Sequence, residues 1–181
     1  MRLNLGCGSD YREGWVNADG NRTVRLDCLC EFAEGLPFAT SSADAMLLDN
    51  VLEHVPRPAL IPFLEELHRV GKPGASLEIF VPHFSGIFAF KHITHYGFFG
   101  VGTFDPFKVE APFNGERYSD IRFHVRAEEL LFFHHNLQTL PFLSKLPING
   151  LFNFSTTWKQ IMERFQVFGF DEIRFVLEVV K

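Results

Sequence analysis

The sequence predicts an α/β fold: a mostly parallel sheet flanked by helices, with an antiparallel strand added at the C-terminus. Three observations predict it. Leu3-Asn4-Leu5 runs into Gly6-Cys7-Gly8, and Trp15-Val16-Asn17-Ala18 runs into Asp19-Gly20, so two short apolar segments each end in a turn. Pro58 to Val70 places Leu60, Phe63, Leu64, Leu67 and Val70 at helical spacing, between the apolar segments Ala43 to Leu48 and Ser76 to Val81. Phe175 to Val180 closes the chain as an apolar, β-branched strand. Strands alternating with helices favour parallel pairing with both sheet faces covered.

The remaining elements follow in order. Residues 9 to 14 are too few for an ordinary crossover helix, which needs about 10–12 residues, so the first connection is a turn or loop. Val24 to Leu29 reads as a third strand, and Ala43 to Leu48 as a fourth after the polar cluster Thr40-Ser41-Ser42. Asn50 to His54 reads as a helical turn. The helix ending at Val70 meets Gly71-Lys72-Pro73-Gly74, a strong stop signal. Beyond residue 83 the text changes. Phe84 to Phe113 is aromatic without clean periodicity, Arg122 to Phe133 holds a strand and a helix start, and Thr156 to Phe165 fits a short helix.

Composition bounds the function. The chain has 181 residues, enough for one domain over 1–181 with a sizeable core. Lys plus Arg number 17 against 22 Asp plus Glu, a net charge of −5, which disfavours a nucleic-acid partner. No apolar run reaches the roughly 18 residues of a membrane span, and the N-terminus lacks a signal-peptide pattern. The 3 cysteines make no disulfide framework, and the cytoplasm is the expected compartment. The 22 Phe residues stand out and crowd the second half.

Gly6-Cys7-Gly8 after an opening strand lets the backbone approach a ligand closely. The dinucleotide fingerprint is not met: Tyr11 stands where its third glycine belongs, and Asp19 follows Gly8 by only 11 residues. An acid ending the second strand still suits a ribose, because a carboxylate accepts hydrogen bonds from both hydroxyls.

Leu3-Asn4-Leu5-Gly6-Cys7-Gly8, Gly14-Trp15-Val16-Asn17-Ala18-Asp19, Leu36-Pro37-Phe38, Asp44 and Val51-Leu52-Glu53-His54 together carry a resemblance. In this order and spacing they resemble the class I S-adenosylmethionine-dependent methyltransferases. More narrowly, they resemble a short bacterial and archaeal subfamily with a reduced first helix. The resemblance covers residues 3 to 83 and reappears at Leu177-Glu178-Val179-Val180-Lys181. It implies a Rossmann-like sheet, S-adenosylmethionine as cofactor and S-adenosylhomocysteine as product. It implies that Gly6, Cys7 and Gly8 cradle the methionine part of the cofactor. Asp19, followed by Gly20, matches the ribose acid. Glu31 and Phe32 sit near the adenine-contacting positions, with Asp27 a rival for that role because the spacing here departs from the family. Asp49 and Asn50 match the place where the amino-acid end of the cofactor meets the substrate. The chain then divides into a cofactor-binding half (1–83), an aromatic-rich cap or substrate region (84–155) and a C-terminal helix and strand (156–181).

The acceptor side rests on weaker signals. His54 is a candidate substrate contact, and Tyr96 a second. His83, after the fifth strand, and His95, in Lys91-His92-Ile93-Thr94-His95-Tyr96-Gly97, are the candidate catalytic bases. His68 reads as a surface residue. His134-His135 and the three cysteines show no zinc-like spacing, so no metal is expected. The aromatic segment from Ser85 to Phe107 reads either as core packing or as a lid over a small acceptor. Leu137 to Phe154 reads as a dimer contact or a substrate cap, in preference to a membrane-surface contact. The expected activity is methyl transfer to a small-molecule or sugar-containing acceptor. The alternatives are a protein of this fold that binds cofactor or a partner without catalysis, and an RNA or protein methyltransferase.

Overall fold

The computed structural model describes residues 1–109, 117–132, 150, 152–165 and 169–181. Its strands are β1 (Arg2–Leu5), β2 (Val16–Asp19), β3 (Cys28–Leu29), β4 (Ala43–Asp49), β5 (Gly71–Pro82), β6 (Arg122–Leu131) and β7 (Glu172–Val180). Its helices are α1 (Arg57–Val70), α2 (Ile87–Lys91) and α3 (Thr156–Phe165), with single 3-10 turns at Phe32–Glu34, Leu52–His54 and Asp105–Phe107. The strands form one sheet in the order β3-β2-β1-β4-β5-β7-β6. The first five are parallel, and β7 and β6 add on antiparallel.

The chain leaves β1 toward β2 and β3, then crosses back to lay β4 on the other side of β1. That reversal opens a crevice at the carboxyl ends of β1 and β4, where open α/β sheets bind ligands. Because β7 is antiparallel, its first residue, Glu172, pairs with Pro82 and lies at this same edge.

No helix fills residues 6–15. Two buried asparagines organise that loop instead. Asn4 Nδ2 donates to the Asp10 carbonyl (2.7 Å) and to Asn17 Oδ1 (3.0 Å). Asn17 Nδ2 donates to the Arg12 and Trp15 carbonyls and to Asp27 Oδ2. Buried amides so satisfied rigidify a backbone that no helix supports.

The core joins Leu3 and Leu5 of β1, Met46 and Leu48 of β4, Leu77 and Ile79 of β5 and Phe175 and Leu177 of β7. α1 buries Phe63, Leu64, Leu67 and Val70, the stripe its spacing predicts. Each such side chain contributes about 1.5–3 kcal/mol of burial.

Several boundaries differ from the sequence reading. β3 has only Cys28–Leu29, because Asp27 is engaged with Asn17 and Tyr11. α1 stops at Val70 as the stop signal predicts, but β5 starts at once: Gly71 pairs with Ala43, and the ladder resumes at Ser76 opposite Ala45. Residues 72–75 are thus a bulge rather than a loop. Gly71 is confined there, since a Cβ would come 2.7 Å from Val179 Cγ2. β6 is strand throughout, with no helix start before Leu131. β7 begins at Glu172, three residues earlier than expected, because Arg174 pairs with Glu78 (2.6 Å) on β5 and Glu129 (2.8 Å) on β6. No helix among the described residues is long and apolar enough to cross a membrane.

Candidate functional site

The glycine turn after β1 is held from two sides. Gly6 and Cys7 donate their N–H groups to the Ala18 carbonyl (2.8 and 3.2 Å), and Gly8 N donates to Asp19 Oδ2 (2.7 Å). Asn21 N donates to the other carboxylate oxygen, Asp19 Oδ1, at 2.8 Å. The end of β2 therefore fixes the loop after β1. Gly6 has φ +69°, and a Cβ there would lie 2.3 Å from Val51 Cγ2. Only glycine fits between the chain reversal and the Val51 side chain.

At the end of β4, Asn50 takes a left-handed conformation (φ +54°). Asparagine tolerates that region better than most residues. Its Nδ2 donates to Asp49 Oδ1 (2.9 Å) and to Glu172 Oε1 (3.4 Å).

These ends enclose a cavity of about 300 Å³ lined by Gly6, Asp19, Glu31, Phe32, Asn50, Val51 and His54, among others. Seven of the residues singled out in the sequence meet there or directly behind it: Gly6, Asp19, Glu31, Phe32, Asn50 and His54 on the wall, and Gly20 behind, close against the Glu31 carboxylate. Cys7, Gly8 and Asp49 support the wall rather than line it. Cys7 is buried, and burial with the nearby Asp19 charge pushes its thiol pKa up. Asp27 does not reach the cavity. Its carboxylate accepts from Asn17 N, Asn17 Nδ2 and the Tyr11 hydroxyl, and these bonds hold its pKa below the ordinary value. A larger cavity, about 630 Å³, lies between the Phe32–Glu34 turn and α1. It touches neither the glycine turn nor the end of β4, so it is not the crevice of the switch point.

A second recess of about 390 Å³ adjoins the first through Asn50 and His54. Glu53, Phe88, Lys91, His92, His95 and Glu172 complete most of its wall. Glu53 is 1% exposed, and neither carboxylate oxygen has a hydrogen-bond partner. Burial, with the Glu172 and Asp49 charges nearby, pushes its pKa up to about 8. Burial and the neighbouring His95 lower the His54 pKa, and burial and His92 lower that of His95. Both imidazoles are therefore neutral near pH 7.

His83 is not on either wall. It is fully buried, with Nδ1 2.7 Å from Ser85 Oγ and Nε2 2.7 Å from Glu163 Oε1. With both ring nitrogens engaged and no opening to the recess, the expected base is corrected to a structural hub that ties β5 to α3. Tyr96 is half exposed and holds the site through its backbone, donating its N–H to the Glu53 carbonyl (2.7 Å). His68, expected on the surface, is half-buried against Val180 and Phe123. The aromatic segment divides: Phe99, Phe104 and Phe107 are core, Phe88 faces the recess, and Phe90 and Phe98 stack on each other at the surface. His134, His135 and most of the Leu137 to Phe154 stretch lie outside the described residues.

Sequence reasoning missed Glu53 and Glu172 as site residues. Glu53 carried a signal, an acid inside the apolar run Val51-Leu52-Glu53-His54-Val55. Glu172 carried none, because its position follows only from the antiparallel pairing of β7.

Comparison with known proteins bears on the fold. Residues 6–79 match the family described as a methyltransferase domain. No curated protein matches the sequence. Among solved structures, the chain is similar to a SAM-dependent methyltransferase of Archaeoglobus fulgidus, at TM-score 0.57 and 14% identity, over 98% of this chain and 85% of that one. It is similar to the Haloferax volcanii chain in complex with the Trm112 methyltransferase activator, at TM-score 0.59 and 16% identity, over 99% and 82%. An S-adenosylmethionine-dependent methyltransferase of Mesorhizobium loti gives TM-score 0.58 and 11% identity, over 98% and 90%.

Proposed function

We propose, for a chain that carries a methyltransferase domain over residues 6–79 in the class I S-adenosylmethionine-dependent fold, methyl transfer to a small-molecule or sugar-containing acceptor. The observation that carries the reading is the pair of adjoining cavities, one at the glycine turn and one beyond Asn50 and His54. The first fits the cofactor. Gly6 leaves backbone where a Cβ would strike Val51, and Asp19 keeps lone pairs for ribose hydroxyls beyond the two backbone bonds it accepts. Cys7 and Gly8 complete the cradle for the methionine part. Glu31 takes the adenine amino group and Phe32 its ring, which Asp27 cannot do from its place under Asn17. Asp49 and Asn50 meet the amino-acid end.

S-adenosylmethionine supplies an electrophilic methyl group on a sulfonium. The chain's task is then to hold an acceptor in line, and orientation alone is worth up to about 7–11 kcal/mol. Phe88 gives the acceptor an apolar wall, while His54 and His95 offer neutral nitrogens that accept a proton from a hydroxyl. The acidic charge and a recess of about 390 Å³ favour a small molecule over nucleic acid. The cytoplasm, an undivided domain over 1–181 and self-association through the Phe-rich region belong to the same reading.

The test is a screen with methyl-labelled S-adenosylmethionine against hydroxyl- and amine-bearing metabolites and sugars. Label transferred to an acceptor by the wild type and lost in Asp19→Ala supports the reading. Cofactor binding with no transfer to any acceptor class favours the binding protein without catalysis.

A further inference from the structure

The recess contains a group that neither cofactor binding nor acceptor packing explains. Glu53 is buried, yet both of its oxygens lack partners. Leaving a carboxyl group in that state costs about 1–3 kcal/mol, and more if it is charged. Two other ligand-bearing groups face it. One donor atom each from Glu53, His54 and His95 lies within 4.8 Å of the others.

We propose that Glu53, His54 and His95 bind one divalent transition-metal cation in the acceptor recess. The proposal deepens the acceptor side of the function given above and changes one part of it, since Nε2 of His54 and His95 then serves as a ligand and not as a proton acceptor; its role rests on that reading, but the binding can be measured without it. Local sequence spacing gave no sign of the site because His95 is separated from Glu53 and His54 by α1, β5 and α2.

Four features support the cation. First, the imidazoles are arranged as ligands are. His95 Nδ1 donates to the Ala89 carbonyl (3.2 Å), which fixes the proton on Nδ1 and leaves the Nε2 lone pair free. His54 Nδ1 lies 3.1 Å from Thr94 Oγ1, a hydroxyl able to accept its proton, and in that tautomer Nε2 is the ligand atom. Second, the two rings meet edge to face at 4.7 Å rather than stacking on one another. Third, the segment carrying His95 is fixed against Glu53, whose carbonyl accepts the Tyr96 N–H (2.7 Å) and the Gly97 N–H (3.4 Å). Fourth, Glu172 adds negative charge to the same wall.

Donor atoms about 2.1 Å from one tetrahedral ion lie about 3.4 Å from one another, so atoms within 4.8 Å must close by up to about 1.4 Å, a movement that side-chain torsions supply on binding. Two imidazoles and one carboxylate suit zinc, iron(II), cobalt(II) or manganese(II) better than calcium or magnesium. Three protein ligands leave coordination positions open toward the recess. There the cation would hold an acceptor oxygen beside Asn50, at the junction with the cofactor cavity.

The test uses the full chain, purified without a polyhistidine tag and treated with chelator. Cobalt(II) is titrated in while visible absorption and stoichiometry are read, and S-adenosylhomocysteine binding is measured separately. The expected result is one cobalt per chain with visible bands, and affinity at least about ten-fold weaker in both Glu53→Gln and His95→Ala. Retained S-adenosylhomocysteine binding in both variants shows that they are folded. No saturable cobalt binding, or binding unchanged by both substitutions, overturns the site. A wild type that binds S-adenosylhomocysteine but not cobalt loses the metal site alone. One that binds cobalt but not S-adenosylhomocysteine loses the functional reading instead.

Discussion

The two adjoining cavities are built by different means. The one at the glycine turn has one side set by backbone: Gly6 lines it, and Gly6, Cys7 and Gly8 are fixed by Ala18 and Asp19 across two neighbouring parallel strands. The one beyond Asn50 is made by side chains from distant segments: Glu53 and His54 before α1, Phe88 to His95 after β5, and Glu172 at the start of β7. A backbone-built wall has one geometry and tolerates little change. A wall of side chains can be altered residue by residue without disturbing the sheet. The difference suits a constant ligand on one side and a particular acceptor on the other.

The largest effect is expected at the backbone-built wall. Gly6→Ala places a methyl group into Val51 and puts a non-glycine residue at φ +69°. The left-handed conformation costs roughly 1–2 kcal/mol and the overpacking about 1–3 kcal/mol. Denaturant unfolding should show the loss, and S-adenosylhomocysteine binding should vanish. A Gly6→Ala protein of normal stability and affinity would show that the wall is not fixed by backbone.

Next in size is the separation of the two acids proposed for adenine. Glu31→Gln should weaken S-adenosylhomocysteine binding several-fold with little change in stability. Asp27→Asn should do the reverse, because its carboxylate holds Asn17 and Tyr11 under the loop. Calorimetry beside a urea melt separates the two, and equal effects of both variants would erase the distinction.

The side-chain wall should respond to ligand more than the backbone wall does. Amide exchange between residues 87 and 99 should slow when cofactor product and acceptor are both bound, while β1 and β4 barely change. Equal exchange in that segment with and without ligands would leave its aromatic residues as ordinary packing.

The smallest effect lies outside both cavities. Burial lowers the His68 pKa, against the opposing Val180 carbonyl bond, with Lys181 and Phe123 beside the ring. The unfolded chain then takes up this proton more readily than the folded one. The stability is present above about pH 6.5 and falls as pH drops through the lowered folded value. Urea unfolding at pH 7.5 and 5.5 should show a shallower decline in His68→Gln. An unchanged decline would assign the acid sensitivity to other groups.

The backbone-built region is also the one the sequence announced. Glycines and an acid at strand ends, an apolar stripe on α1 and a stop at Gly71 are local signals, and local signals sit side by side in the text. The side-chain wall was legible only in part. His54 and His95 were visible as candidates, but their meeting with Glu53 depends on how the segment after β5 folds back. His83 misled because its place after a strand says nothing of Glu163, which comes from α3 and occupies its ring. Glu172 and the early start of β7 were hidden by the charges of Glu172 and Arg174, whose partners lie on other strands.

The central claim is that the cavity at the ends of β1, β2 and β4 holds S-adenosylmethionine through the Asp19 carboxylate. It is tested most directly by calorimetric titration of S-adenosylhomocysteine into the wild type and Asp19→Ala. A hydrogen bond to a charged group is worth roughly 1.5–3 kcal/mol. The account predicts one molecule bound per chain, and affinity about ten-fold or more weaker in a folded Asp19→Ala. No binding to the wild type, or equal affinity in the two proteins, would contradict it.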